Sequence, residues 1–194
     1  MNRFFSSKYK NLVPYTPGEQ PKGMEYIKLN TNESPYPPSP AAIKAASQAA
    51  KRLNLYPDPE CGELNGTMAR NLDVSEDEIL AVNGSDEILN FAFAAFCGEN
   101  TPAVFPDITY GFYSVFAELN KVEYETIPLE DDFTIDINKY NNIGKTIFIA
   151  NPNAPTGILL KTDEIERILK SNPSNVVVID EAYIDFGGES CVPL

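Results

Sequence analysis

The sequence predicts an α/β fold, a mostly parallel sheet with helices on both faces. Short apolar runs alternate with segments of helical period over residues 79–180. The run Val176–Ile179 is uninterrupted and largely β-branched, as in strands covered on both sides. Gly, Pro and Asn then cluster just after the apolar runs, at the strand ends where such sheets present their ligands.

Residues 1–38 read as an extended arm with one short strand, Tyr26–Leu29, because four prolines fall between Pro35 and Pro40. Ser39 is placed to cap a helix that carries Pro40 in its first position, where a missing N–H does no harm. The apolar stripe of that helix is Ala42, Ala46, Ala49, Ala50 and Leu53. Tyr56-Pro57-Asp58-Pro59 reads as a turn, with Asp58 and Pro59 opening a second helix that runs to about Asn71. Ile79–Val82 follows as a strand. The helix Ser85–Cys97, stopped by Gly98, is apolar nearly all round and is expected to be buried. Beyond it come a strand at Ala103–Phe105, a helix at Tyr110–Leu119, and strands at Val122–Ile127 and Thr146–Ala150. Asp163–Lys170 is a helix with Thr162 as its cap, and Val176–Ile179 is expected to be a central strand.

Composition narrows the chemistry. The 194 residues can bury roughly 70% of their extended surface without disulfides or metal. No apolar run reaches the roughly 20 residues of a membrane helix, and the first residues lack the apolar core of a secretory signal. A net charge of −13 opposes docking on nucleic acid or anionic membrane. There is no histidine, which removes Ser-His-Asp and Cys-His catalysis and nearly all zinc enzymes. Cys61, Cys97 and Cys191 fit neither a metal pair nor a redox CxxC, and suggest reduced thiols in a cytoplasm.

Three strand ends carry the candidate chemistry. Asn83-Gly84-Ser85-Asp86-Glu87 opens a helix whose first N–H groups could seat a phosphate, although on this motif alone an ordinary helix capped by Asn83 or Ser85 explains it better, since the two acids do not help an anion. Asn151-Pro152-Asn153-Ala154-Pro155-Thr156-Gly157 is a rigid loop whose amides could fix a ligand oxygen, or simply a turn that ends a strand. Asp180-Glu181-Ala182-Tyr183 places a carboxylate at the end of an apolar strand, which is costly unless a cation or donor meets it. A phosphate at Ser85 and a protonated ring nitrogen at Asp180 would together describe pyridoxal 5′-phosphate. Gly144-Lys145-Thr146 resembles a phosphate loop only in part, since Lys139 stands where the first glycine is needed.

With Leu29-Asn30-Thr31-Asn32-Glu33-Ser34-Pro35 and Tyr56-Pro57-Asp58-Pro59, these motifs occur in the order and spacing of fold-type-I aminotransferases. Within them the sequence resembles the histidinol-phosphate aminotransferase family most. The resemblance implies a fold-type-I large domain over 39–194, preceded by an arm (1–38) that contributes to a small domain and to a dimer. It implies a homodimeric, cytoplasmic enzyme of histidine synthesis, which moves an amino group between glutamate and imidazole-acetol phosphate on pyridoxal 5′-phosphate. Residue by residue, Gly84, Ser85 and Asp86 would surround the cofactor phosphate, Tyr110 would stack on its ring, and Asp180 would pair with the ring nitrogen. Tyr183 would bond the ring's phenolic oxygen, Tyr56 would reach the partner subunit's phosphate, and Asn32 would border the substrate. No metal, nucleic acid or membrane partner is expected.

The sequence departs from the family's pattern at two places. Ala154 stands where the family often has, directly before Pro-Thr-Gly, an asparagine that contacts the cofactor's phenolic oxygen, and the resemblance leaves Asn153 as the nearest substitute among the cofactor-binding residues. No lysine follows Lys170 and no arginine follows Arg167, so the family's Schiff-base lysine has no counterpart. The expectation is an incomplete large domain, poorly stable alone and without turnover. Threonine-phosphate decarboxylases of cobalamin synthesis share the motifs and form the alternative, beside a non-catalytic phosphate-binding module.

Overall fold

A computed structural model describes residues 27–194 together with Phe4, Ser6, Tyr9, Gly18, Glu19, Lys22 and Gly23. The chain divides into two compact units. One comprises Thr16–Ala81, and the other Val82–Leu194 with Met1–Tyr15.

In the first unit, α1 (Pro40–Ala49) starts where the Ser39 hydroxyl accepts the Ala42 N–H at 3.2 Å. It runs into a short 3-10 turn, Ala50–Arg52. Its alanine stripe is exposed throughout. The second helix, α2 (Gly62–Leu72), begins later than Asp58 because Cys61 adopts a left-handed φ of 52°. Asp58 still serves it from outside, its carboxylate accepting the N–H groups of Glu60 at 3.1 Å and Gly62 at 2.8 Å. Those two bonds hold the Asp58 carboxyl below its usual range, Gly62 contributing most.

Two expected strands are not seen among the described residues. Tyr26 lies outside the described residues, while Ile27 and Leu29 are 91% exposed and pair with nothing among them. Residues 79–82, following the 3-10 turn Glu76–Glu78, pair with no strand among the described residues. An apolar run becomes a strand only where a neighbouring strand takes up its backbone groups.

The second unit holds the sheet. Its strands are β1 (Ala103–Pro106), β2 (Tyr124–Ile127), β3 (Thr146–Ala150) and β4 (Val177–Asp180), all parallel in the order β2-β1-β3-β4. Its helices are α3 (Ser85–Phe96), α4 (Phe112–Asn120) and α5 (Thr162–Ser171). The helices lie on both faces, as the alternation of the strands requires. Ala103, Phe105, Phe148 and Ala150 pack with Leu89 and Phe93 of α3 and Tyr113 and Phe116 of α4. Val104, Ile147 and Ile149 turn the other way, onto Ile165 and Ile168 of α5 and the 3-10 turn Ile137–Tyr140. Phe93 and Phe148 stack with centroids 4.0 Å apart.

Several expectations need correction. Among the described residues β4 is the last strand of the sheet, and it is only half-buried, where a central strand was expected. Of the apolar residues of α3, Phe91 and Phe96 remain exposed, because only one side of the helix meets the sheet. Neither Asn83 nor Ser85 caps α3; Gly84 occupies the cap position and Cys97 ends the helix. Lys161, not Thr162, precedes α5, and the Glu164 carboxylate accepts its N–H at 2.8 Å.

Candidate functional site

The parallel order brings the carboxyl ends of β1, β3 and β4 to one edge. Ala150 of β3 stands in register with Asp180 of β4, and the Asn151 N–H donates to the Asp180 carbonyl at 2.9 Å. Beyond that edge opens a small cleft. Ser85, Tyr110, Asp180 and Tyr183 line it, with Ala150, Pro152, Ala154 and Ala182 completing the wall.

One end of the cleft suits an anion. Gly84 holds φ 82° and ψ 175°, a region that glycine alone occupies readily, and no side chain caps the helix behind it. The first N–H groups of this twelve-residue helix therefore have no side-chain cap, and the positive end of its dipole lies there. Glu87 reaches back only to the Asn83 N–H, at 2.7 Å. Asp86, beside Ser85, accepts the Tyr110 hydroxyl at 2.7 Å.

The opposite wall suits a cation. Asp180 is half-buried, and among the described residues no lysine or arginine pairs with it. Burial drives its carboxyl above the usual range and the Asp86 charge adds to this, while bonds from the Ala182 N–H at 3.2 Å and the Tyr113 hydroxyl at 3.1 Å act against it. A protonated nitrogen in the cleft would supply the missing countercharge.

The floor is stitched by Asn153. Its amide donates to the Ile108 carbonyl at 3.0 Å and the Thr156 hydroxyl at 3.1 Å, and its oxygen accepts the Thr109 hydroxyl at 2.8 Å. It is buried beneath the loop, whereas Ala154 faces the cleft. Both prolyl bonds of that loop are cis. Tyr110 stacks on Phe112 at 5.6 Å and meets Tyr113 edge-on at 5.7 Å. Ser85, Tyr110, Asp180 and Tyr183 therefore share one site, with Gly84 and Asp86 adjoining it. Asn32, at φ 50°, and the fully exposed Tyr56 belong to the first unit.

Sequence reasoning missed Tyr113. Its signal was present: it lies in the first turn of α4, three residues after Tyr110, and the turn between them brings the two rings together edge-on.

A parallel sheet clothed on both faces, with an anion seat and a lone carboxylate converging at its carboxyl edge, is an architecture of the aminotransferases. The chain belongs to the family "Aminotransferase class I and II", which it matches over residues 24–194. It is 54% identical to a histidinol-phosphate aminotransferase of Brachyspira hyodysenteriae, over 96% of this chain and 53% of that protein. The chain spans about half the length of the curated relatives it matches. Among solved structures, histidinol-phosphate aminotransferase of Sinorhizobium meliloti in complex with pyridoxal-5′-phosphate superposes with a TM-score of 0.74 at 25% identity, over 80% of this chain and 44% of that one. L-threonine-O-3-phosphate decarboxylase of Porphyromonas gingivalis, at 24% identity and TM-score 0.68 over 77% and 47%, shares the fold. Among the described residues no helix is long and apolar enough to cross a membrane, and no cluster of His, Cys, Asp and Glu could hold a metal.

Proposed function

We propose that this chain forms the cofactor-holding side of a transaminase that exchanges the amino group of histidinol phosphate with 2-oxoglutarate, on pyridoxal 5′-phosphate. The observation that carries this reading is the sharing of one cleft by Ser85, at an uncapped helix N-terminus, and Asp180, a half-buried carboxylate without a cation. When bound, the cofactor supplies an electron sink for the substrate carbon that bears the amino group.

The residues divide that task. Gly84, Ser85 and Asp86 would take the phosphate through backbone N–H groups and the Ser85 hydroxyl. Asp180 would hold a proton on the ring nitrogen, Tyr110 would cover a ring face, and Tyr183 would donate to the ring's oxygen. Asn153 supports the loop from below, leaving Ala154 against the ligand. Tyr56, fully exposed, is free to serve a second subunit of a homodimer, and Asn32 would border the substrate. The identity to the Brachyspira enzyme supports histidinol phosphate as substrate. The decarboxylase, at its lower identity, supports the fold alone.

The test is an assay of the complete gene product. Glutamate formed from histidinol phosphate and 2-oxoglutarate is the expected result. Release of carbon dioxide from threonine phosphate, with no transamination of histidinol phosphate, would overturn it.

A further inference from the structure

We propose that Tyr113 is a positioning residue for Asp180, holding that carboxylate in place and in its anionic form where it faces the cleft. The proposal rests on the pyridoxal-phosphate reading above and assigns a role to a side chain that does not line the cleft. Tyr113 has no exposed surface. Its ring is fixed by Phe105 at 5.6 Å, Phe148 at 5.8 Å and the edge of Tyr110 at 5.7 Å, so its hydroxyl has one place to go. It donates to Asp180 Oδ2 at 3.1 Å, while the Ala182 N–H takes Oδ1 at 3.2 Å. One donor on each oxygen fixes the plane of the carboxylate.

The register of β4 explains the meeting. Asp180 shares the parity of Val178, which packs on the α3–α4 face, so it turns toward the helix that carries Tyr113. The titratable groups facing Asp180 are Asp86 from α3, Tyr113 from α4 and Tyr110 just before it, and Tyr183 after β4. Its neighbour Glu181 turns away, to the Ser190 hydroxyl at 2.7 Å and the Cys191 N–H at 2.6 Å. No lysine or arginine among the described residues pairs with Asp180, so two neutral donors oppose both burial and the Asp86 charge. Burial, and then Asp180 itself, keeps the Tyr113 phenol protonated far above its ordinary range, so it acts only as a donor.

The test reads Asp180 directly. The chain is labelled with 13C at aspartate carboxyl carbons, the Asp180 signal is assigned by its loss in Asp180→Asn, and its titration is followed without ligand. In Tyr113→Phe the midpoint should rise by about one pH unit, the loss of a hydrogen bond to a charged group. With 3-fluorotyrosine at position 113, a stronger donor that keeps the hydroxyl and the fold, the midpoint should fall. An unmoved midpoint in either folded variant overturns the proposal. In parallel, 4-deoxypyridoxine 5′-phosphate, which has no aldehyde, should bind several-fold more weakly to Tyr113→Phe than to the unsubstituted chain. Equal binding would overturn the positioning role. If the analogue binds neither protein while the titration still moves, the cofactor reading fails and the hold of Tyr113 on Asp180 is supported.

Discussion

Ala150 and Asp180 stand side by side in register at the carboxyl ends of β3 and β4, and the Asn151 N–H closes the pair on the Asp180 carbonyl at 2.9 Å. The wall of the cleft is thus built from backbone pairing, and the carboxylate is carried on a strand, not on a loose loop. Placing an acid there costs stability, and the cost has a pH signature. Burial raises the Asp180 carboxyl above its unfolded value, so the folded chain binds the proton more tightly. Stability contributed by this residue is therefore greatest at low pH and falls as pH climbs from its ordinary value through the raised one. Asp180→Asn should stabilise the ligand-free chain at neutral pH and raise its melting temperature. The gain should vanish below the ordinary carboxyl range, as thermal melts across pH would show.

Gly84 holds a backbone conformation that a side chain resists even though open space surrounds it. Gly84→Ala should cost ~1–3 kcal/mol from strain alone. Urea melts measure that cost, and the same variant should lose phosphate-ester affinity because the first turn of α3 shifts.

Asn153 ties the loop after β1 to the loop after β3 through Thr109 and Ile108. Asn153→Ala leaves the part-buried Ile108 carbonyl and Thr109 hydroxyl without their partner, and should destabilise by ~1 kcal/mol. Chemical denaturation of the variant checks this, and hydrogen exchange should quicken in residues 107–111 and 151–157 before it quickens in the strands.

Phe148 carries the centre of the α3–α4 face, stacked on Phe93. Phe148→Ala should cost ~3–5 kcal/mol by denaturant melts. Phe148→Leu, which keeps most of the volume, should cost much less.

The sheet was legible because Thr146–Ala150 and Val176–Ile179 are short apolar runs rich in β-branched residues, which suit strands, although only the first is fully covered. Ser85 and Asp180 stood out for a related reason: they follow strands or open a helix, and parallel topology brings those points together; Tyr110 and Tyr183 were marked only by the family resemblance. The sequence misled where the outcome depends on a neighbour. Ile79–Val82 has strand composition but no pairing partner among the described residues, and α3 has apolar residues on sides that the sheet does not reach. The α2 start moved because a left-handed Cys61 delays the helix, which propensity does not foretell. Asn153 could not be told from Ala154 as the residue facing the cleft, since only the folded loop decides which side chain turns down.

The central claim is that Asp180 holds a protonated pyridine nitrogen in this cleft. It is tested most directly by the 15N NMR signal of a ring-labelled 4-deoxypyridoxine 5′-phosphate bound to the chain, at a pH where the free ligand has lost its ring proton. A protonated signal in the unsubstituted chain, lost in Asp180→Asn, is the expected result. A ring nitrogen in the same state in both proteins would contradict it.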